Sequence, residues 1–215
     1  MLISFSGKKG SGKDTGAESL ISRHGFKRIG LADKLKEIMS TVTGIPLEDM
    51  HNPDKKEVLF VQPLKITKTQ IGTLIAMLND DGFDITKDIS ARLYGFVGTP
   101  MNSIRHLLQY FGTDVCRSTV ADDIWLTYFS KQVADSKDNI VVTDARFANE
   151  RTFFKKLGAT LVLITRQGLE GGDGHISEND LGTEADYDVV INNDSTKIAM
   201  QSDISMWYTV KHSKN

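Results

Sequence analysis

Short apolar runs alternate with segments of helical periodicity along most of the chain. The first run, Leu2–Ser6, is followed at once by glycine, which is typical of a buried strand in a parallel sheet. Downstream, residues 32–42 carry Leu35, Ile38 and Met39 on one side of a predicted helix. Strands that alternate with helices predict the α/β class with a parallel sheet.

The same pattern locates the other elements. Further strands are predicted at 26–29, 139–144, 161–164 and 188–193, and a closing helix at 198–210. A helix is predicted to begin at Pro100, because the apolar residues from Ile104 to Phe111 recur at i, i+3, i+4 and i+7. Another amphipathic helix starts near Asp123. Helices therefore separate strands, as crossover connections in a parallel sheet require.

Periodicity is weakest between residues 45 and 99. Three prolines and the run Asn79–Gly82 interrupt this region, and such residues break regular elements. We interpret 45–99 as an insertion, or a substrate-side region, within a single domain that spans 1–215. A second irregular segment, 166–180, is rich in glycine and is predicted to be a mobile lid. His175 within it has no cysteine or second histidine nearby, so we interpret it as a polar lid residue and not as a metal ligand.

A glycine-rich loop connects the first strand to the first predicted helix. It contains the template G-x-x-x-x-G-K at Gly7, Gly12 and Lys13, and glycines at positive φ let successive N–H groups converge on phosphate oxygens. The following helix adds a favourable N-terminal dipole, and Lys13 supplies a charge for the β- and γ-phosphates. A turn that binds nothing would show the same glycines, but the position between an apolar strand and a helix favours nucleoside triphosphate binding.

The residue after Lys13 departs from the common template. Asp14 stands where a serine or threonine usually binds magnesium. A carboxylate is a good oxygen ligand for Mg²⁺, so we expect Asp14 to contact the metal, directly or through water. Two alternatives stay open: Thr15 could take the hydroxyl role, or Asp14 could serve only the helix dipole.

A second cluster of charges follows the strand predicted at 139–144. Asp144 ends that strand, and Arg146 and Glu150 come shortly after it. Ligands of open α/β folds bind at the carboxyl ends of the strands, and phosphate-loop enzymes place a carboxylate there beside the triphosphate and its metal. Arg146 and Glu150 are spaced i, i+4, so we expect them to share a helical face and to pair. A surface ion pair of little consequence is the alternative.

Composition narrows the class of protein. With 215 residues, of which 40% are hydrophobic, the chain is long enough for one α/β enzyme domain. A net charge of −2 gives no general electrostatic reason to bind DNA or RNA. Cys116 is the single cysteine, which permits a reducing compartment. The first apolar run ends at Phe5 and no run reaches the length of a membrane span, so we expect no membrane partner and a cytoplasmic location.

The order of these motifs resembles that of a known family. The matching motifs are GSGKDT after the first strand, Leu35-Lys36, Arg105 with Leu108-Gln109 and Gly112-Thr113, Asp123 and Trp125, Thr143–Phe147 with Asn149-Glu150, and His175–Glu178. Together they are similar to bacteriophage deoxynucleoside monophosphate kinases, a branch of the P-loop nucleoside monophosphate kinase fold. The resemblance implies a parallel sheet of about five strands, an acceptor-binding region and a lid. It also implies transfer of the γ-phosphoryl group of ATP to a dNMP with Mg²⁺, which supplies dNDPs for DNA synthesis.

The same resemblance implies a role for each matching residue. ATP and its magnesium would be held by Gly10, Ser11, Gly12, Lys13, Asp14 and Thr15. The dNMP would be held by Lys9, Leu35, Lys36, Arg105, Gln109, Gly112, Thr113, Trp125, Asp144, Arg146 and Glu150. Catalytic roles would fall to Lys13, Asp144, Arg146 and Arg166, of which Arg166 would stabilise transition-state charge.

Two rival functions stay open. Another small-molecule kinase of this fold, acting on a coenzyme precursor, would keep the phosphate loop and change the acceptor residues. A P-loop ATPase would hydrolyse ATP without a nucleotide acceptor, although the compact size and the predicted lid argue against it. The preferred base of the dNMP is open as well. Stacking on Trp125 tolerates any base, and the Gln109 amide can reverse its donor and acceptor ends. For the oligomeric state, a homodimer is one alternative.

Overall fold

The computed structural model describes residues 1–169 and 180–212. It divides into two compact units. The first unit is built from Met1–Leu31 and Phe129–Asn215, and the second unit from Ala32–Tyr128. The interpretation of the whole chain as one domain with an insertion stays a prediction.

Strands and helices alternate through most of the described part of the chain. The strands are β1 (Leu2–Ser6), β2 (Lys27–Arg28), β3 (Leu59–Lys65), β4 (Pro100–Ser103), β5 (Ile140–Val142), β6 (Thr160–Thr165) and β7 (Val189–Asn192). The helices are α1 (Lys13–His24), α2 (Asp33–Thr43), α3 (Leu47–His51), α4 (Pro53–Glu57), α5 (Lys68–Asp80), α6 (Lys87–Tyr94), α7 (Ile104–Gln109), α8 (Ile124–Val133), α9 (Ala148–Lys156) and α10 (Lys197–His212). A π-helical segment, Tyr110–Arg117, continues α7, and Glu184–Asp186 form a 3₁₀ turn. No helix in the described ranges is long and apolar enough to cross a membrane.

A five-stranded sheet forms the centre of the first unit. Its strand order is β2-β5-β1-β6-β7, and every neighbouring pair is parallel. Strands β1, β5 and β6 are buried along almost their whole length, which explains why they read as continuous apolar runs in the sequence. The parallel sheet with flanking helices confirms the predicted fold class. Because the strands are parallel, the loops that follow β1, β5, β6 and β7 lie at the same edge of the sheet.

Helices α1 and α10 pack together against this sheet. Their shared core includes the fully buried residues Phe5, Leu20 and Ile204, and burying a side chain of this size contributes about 1.5–3 kcal/mol. Helix α1 approaches the sheet so closely that a Cβ on Gly16 would lie 3.1 Å from the Phe5 ring. These contacts fix the start of α1, and with it the glycine-rich loop, relative to the sheet.

The second unit is mainly helical. Helix α2 packs against α5 and α7, and β3 and β4 form an antiparallel pair. Leu35, Ile38 and Met39 are all buried, so the apolar stripe predicted for 32–42 is confirmed. The stripe faces the core because side chains three and four positions apart lie on the same side of a helix.

The region 45–99 holds more regular structure than its weak periodicity indicated. It contains α3, α4, β3, α5 and α6. Helix α5 begins with a capping box in which the side chains of Thr67 and Gln70 each bond the other residue's backbone N–H. Ile71 and Leu78 on this helix are fully buried. The substrate-side role of the region stays a prediction.

The helix predicted to begin at Pro100 is wrong at its start. Residues Pro100–Ser103 form β4, and α7 begins only at Ile104. The Ser103 hydroxyl accepts a hydrogen bond from the backbone N–H of His106 at 3.1 Å, so this serine caps α7. Helix α7 ends at Gln109 and passes into the π-helical segment. Such segments are rare and occur frequently at functional sites.

The predicted lid at 166–180 is only partly described. Residues 170–179 lie outside the described residues, and His175 is among them. The neighbouring residues Leu169 and Asp180 are described, and both have contacts within the first unit.

Candidate active site

Three glycines shape the loop between β1 and α1. Gly7, Gly10 and Gly12 adopt φ values of 150°, 81° and 103°, a region that residues with a Cβ rarely enter. Gly12 directly precedes α1, so the loop brings its backbone to the N-terminal end of that helix. Backbone N–H groups there have no partner within the helix and favour an anion.

Lys13 is the first residue of α1, and only 7% of its surface is exposed. Its Nζ donates to the carbonyl oxygens of Gly7 at 2.7 Å and Lys8 at 2.8 Å, so the ammonium group lies inside the loop. Burial, reinforced by the charge of Arg146, lowers the pKa of Lys13 to about 8, although the charges of Asp14 and Asp144 act in the opposite direction. Lys13 is therefore still mostly protonated at neutral pH and presents a poorly hydrated positive charge.

Asp144 lies at the carboxyl edge of the sheet, shortly after β5. Its Oδ1 accepts a hydrogen bond from the backbone N–H of Leu31 at 2.9 Å. The Ser6 hydroxyl donates to the carbonyl of Ala145 at 3.0 Å, which ties this loop to the end of β1. The charge of Asp144 is close enough to raise the pKa of Lys13, so these two predicted site residues share one edge of the sheet.

Arg146 and Glu150 do not share a helical face, so that part of the prediction is wrong. Helix α9 begins at Ala148, and Arg146 lies in the loop before it. The buried Glu150 carboxylate accepts hydrogen bonds from the backbone N–H groups of Arg146 at 2.6 Å and Phe147 at 3.0 Å. Glu150 thus closes the first turn of α9 and fixes the backbone at Arg146.

Arg151 connects the Arg146 loop to the chain at Asp180, a link that sequence reasoning missed. Its buried guanidinium donates to the carbonyl oxygens of Arg146 at 3.1 Å and Asp180 at 2.5 Å. The Asp180 carboxylate accepts a hydrogen bond from the backbone N–H of Ala148 at 2.9 Å. Gly182 leaves room for this contact, since a Cβ there would lie 2.8 Å from Arg151 Nη2. The sequence pattern did not indicate that Arg151 is buried, because a charged residue in a helix ordinarily faces solvent.

Arg166 lies beside the glycine-rich loop. A cavity of about 410 Å³ has Gly7, Lys8, Ser11, Arg166 and Leu169 among its lining residues. Its walls are the loop, the end of β6, the residues that follow β6, and Leu181 with Gly182. The structure brings the exposed Arg166 and the loop together around one concave space, which is the usual form of a small-molecule site.

In the second unit, two predicted phosphate ligands are paired with acids. Lys36 Nζ lies 2.9 Å from Asp33 Oδ1 and 3.5 Å from His51 Nδ1. Arg105 Nε donates to Glu57 Oε1 at 2.5 Å. Each cation therefore has a carboxylate beside its positive charge.

Gly112 is the centre of another group in the second unit. Trp125 Nε1 donates to the carbonyl of Gly112 at 2.8 Å, and the indole stacks on Tyr128 with ring centroids 5.9 Å apart. A Cβ on Gly112 would lie 2.7 Å from Leu35 Cδ2. The structure thus brings Leu35, Gly112 and Trp125 together, with Thr113 adjacent in the π-helical segment. Trp125 is only 7% exposed, so most of its surface is already buried.

The remaining predicted ligands lie at element ends and in the glycine-rich loop. Asp14 is exposed in the first turn of α1, with the half-buried Thr15 next to it. This position suits both a metal ligand and a partner of the helix dipole. Lys9 is exposed in the loop, and Gln109 is the last residue of α7.

Comparison with known proteins identifies relatives over most of the chain. The family model for deoxynucleotide monophosphate kinase matches residues 49–204. A relative from Acanthamoeba polyphaga mimivirus, which carries the same family description, is 31% identical over 209 residues, covering 91% of this chain and 90% of that protein. The deoxynucleotide monophosphate kinases of Enterobacteria phage T4 and Escherichia phage RB69 are 25% and 29% identical, covering 91% and 94% of this chain and 93% and 97% of theirs.

These matches confirm the resemblance drawn from the motifs. The range of the family model begins after the glycine-rich loop, so the model match and the loop are separate observations that agree. The relatives also align over nearly their whole length. The chain therefore belongs to the deoxynucleotide monophosphate kinase family and is a phosphotransferase.

Proposed function

We propose that this protein transfers the γ-phosphoryl group of ATP to a deoxynucleoside monophosphate and so supplies dNDPs for DNA synthesis. The observation that carries the proposal is Lys13, whose buried ammonium group lies inside a glycine loop at the start of α1. This arrangement suits the β- and γ-phosphates of ATP, which meet both backbone N–H groups and a positive charge. The names of the phage T4 and RB69 relatives support a dNMP as the acceptor.

On the ATP side, binding is an exchange of partners at Lys13. In the structure its Nζ is held by the carbonyls of Gly7 and Lys8, and phosphate oxygens would replace them. The exchange is favourable because a hydrogen bond between two charged groups is stronger than one to a neutral carbonyl. The other ATP ligands of the proposal are Gly10, Ser11, Gly12, Asp14 and Thr15.

The carboxylates at this edge fit a magnesium ion. Mg²⁺ usually takes one or two carboxylates beside phosphate oxygens and keeps several waters. Asp14 and Asp144 both act on Lys13 through their charges, so both would lie near phosphates bound at Lys13. We assign Asp14 as the metal ligand, directly or through water. When bound, the ion would neutralise charge on the phosphates.

In the first unit, the catalytic roles fall to residues around the loop. Arg166 lines the cavity that the loop also lines, where its guanidinium would stabilise charge on the transferring group. Arg146 would act on the same group from a backbone held by Glu150, and Lys9 would reach the acceptor phosphate. Phosphoryl transfer depends mainly on positioning and on positive charge.

In the second unit, we assign the dNMP ligands to the cations and to the group around Gly112. Lys36 and Arg105 would bind the acceptor phosphate in exchange for Asp33 and Glu57. The residues assigned to the nucleoside are Leu35, Gln109, Gly112, Thr113 and Trp125. For Trp125 the buried hydrogen bond to Gly112 favours a role in holding this backbone over open stacking on a base.

The experiment that tests the proposed function is ATP-dependent phosphorylation of the four dNMPs. Ribonucleoside monophosphates and a reaction without acceptor are the controls, and Lys13→Ala is the matched inactive variant. We expect ADP and dNDP in equal amounts with at least one dNMP, and little ADP without acceptor. Equal ADP release without acceptor would indicate an ATPase. ATP binding without turnover of any nucleotide would indicate a kinase for another small molecule, such as a coenzyme precursor.

The partners of the proposal are small nucleotides, without nucleic acid or membrane. The net charge of −2 offers no general attraction for a polyanion. We place the reaction in the cytoplasm, which is the host cytoplasm if a phage encodes the protein. Light scattering decides between a monomer and the homodimer that the sequence left open.

A further inference from the structure

Asn193 contacts the glycine-rich loop from a position far away in the sequence. It directly follows β7 and is 5% exposed. Its backbone N–H donates to the carbonyl of Thr165 at the end of β6, at 2.8 Å. Its side-chain Nδ2 donates to the carbonyl of Ser11, also at 2.8 Å, in a buried contact between residues separated by 182 positions. The backbone of Asn193 is thus fixed to the sheet, and its amide is fixed to the loop.

The hydrogen bond to Ser11 orients the peptide group between Ser11 and Gly12. In a trans peptide the C=O and the N–H point in opposite directions, and the described residues contain no cis peptide. Because the Ser11 carbonyl points towards Asn193, the Gly12 N–H points away from it. That N–H is one of the backbone donors that a loop of this kind offers to phosphate.

The loop and Asn193 fit closely. A Cβ on Gly12 would lie 2.3 Å from Asn193 Nδ2, so the loop backbone packs directly against the amide. Asn193 Oδ1 and Ser11 Oγ are buried without a hydrogen-bond partner in the described part of the chain. The donor half of the amide therefore carries the polar link to the loop.

We propose that Asn193 is a positioning residue for ATP binding, which holds the Ser11–Gly12 peptide so that the Gly12 N–H is presented to phosphate. The inference rests on the proposed function, because it takes this loop as the ATP site. Without the amide, the Ser11 carbonyl loses its donor and the peptide is free to rotate. A donor that rotates away from the phosphate no longer contributes to binding or to transfer.

The test is calorimetric titration with ATP alone, without acceptor, on the wild type and three variants. Asn193→Ala removes the amide, and Asn193→Asp keeps its size but replaces the donor by an acceptor. Asn192→Ala is the matched control, because Asn192 is exposed and its Oδ1 lies 3.4 Å from Thr165 Oγ1. We expect the Kd for ATP to rise roughly tenfold or more in both Asn193 variants. For Asn192→Ala we expect a change within about twofold.

Steady-state kinetics separate positioning from a general loss of structure. If Asn193 acts by positioning, its variants should raise the KM for ATP and leave the KM for dNMP within about twofold. An equal rise in both KM values would overturn the proposal. A folded Asn193 variant that binds ATP like the wild type would also overturn it. If Asn193→Ala does not fold, Asn193→Asp decides the matter. A wild type that binds ATP but phosphorylates no nucleotide contradicts the proposed function, while the calorimetric comparison still decides the role of Asn193.

Discussion

The glycine-rich loop of the first unit and the Lys36 and Arg105 ion pairs of the second unit, which we propose as phosphate sites, differ in what surrounds their cations. In the loop, glycine backbones at positive φ lead to the N-terminus of α1, and Lys13 donates hydrogen bonds to two neutral carbonyl oxygens. In the second unit, the charges of Lys36 and Arg105 face the carboxylates of Asp33 and Glu57. One surface is built from backbone and the other from side-chain charges.

This difference predicts different sensitivities for the two substrates. Backbone donors are held by the loop conformation and need little reorganisation, and Lys13 exchanges only neutral carbonyls for phosphate oxygens. An ion pair must instead separate before its cation can accept a phosphate. We therefore expect ATP binding to depend on the shape of the loop and on the charge of Lys13. We expect dNMP binding to depend on how strongly the neighbouring carboxylates hold Lys36 and Arg105.

The largest expected effect is that of Lys13→Ala. This change removes the charge inside the loop, so kcat/KM should fall by at least about 100-fold, as for loss of one transition-state donor. The melting temperature should change little, since the lysine itself is buried at a cost. Lys27→Ala, which removes an exposed lysine paired with Asp138, is the control. Turnover of Lys13→Ala close to that of the control would contradict the assignment of the loop.

The pH profile should show the lowered pKa of Lys13. Because burial lowers this pKa to about 8, the ammonium loses its proton as the pH rises through that value. We expect kcat/KM for ATP to fall above pH 8, approaching about tenfold per pH unit. In Lys13→Arg the side chain stays charged, so whatever activity remains should lack this alkaline decline. An unchanged decline in that variant would assign it to another group.

Gly12→Ala should weaken ATP binding through loop shape alone. A Cβ at φ 103° is strained and would also lie 2.3 Å from Asn193 Nδ2. We expect the Kd for ATP to rise by about tenfold. Gly25→Ala is the control, because Gly25 has a φ of 69° but nothing lies within 4 Å of its Cβ position. Similar ATP losses in both variants would indicate a general backbone effect.

Arg105→Ala should affect the acceptor and spare ATP. Loss of a charge-assisted hydrogen bond to phosphate predicts a rise of about tenfold in the KM for dNMP. The Kd for ATP should stay within about twofold, because the loop provides that binding surface. Separate titrations with each nucleotide check this prediction, and an unchanged KM for dNMP would remove Arg105 from the acceptor residues.

The smallest expected effect has the opposite sign. Glu57→Gln removes the acid that faces Arg105, so the KM for dNMP should fall by about two- to threefold. The gain is small because 46% of the Glu57 side chain is exposed, and exposed ion pairs are weak. Asp54→Asn, which removes the same charge from the same short helix α4, is the control. An equal gain from both variants would indicate a general effect of net charge.

Local sequence patterns predicted the structure correctly wherever residues close together in the chain determine it. The apolar run after Met1, the glycines before Lys13 and the stripe of α2 were all readable, because each depends on residues within a few positions. Pro100 misled the prediction, since a proline can open a helix but also fits an edge strand. The spacing of Arg146 and Glu150 misled it too, because the helix begins between them and Glu150 caps it.

The sequence by itself determined the α/β class, the glycine loop with Lys13 and the family, since these follow from short-range periodicity and from ordered motifs. Only the tertiary structure decided that Asn193 meets Ser11, that Arg151 meets Asp180, and that Glu57 faces Arg105. Such contacts join residues far apart in the chain. They depend on strand order and on helix packing, which bring distant backbones together without leaving any periodic signal in the residues that meet.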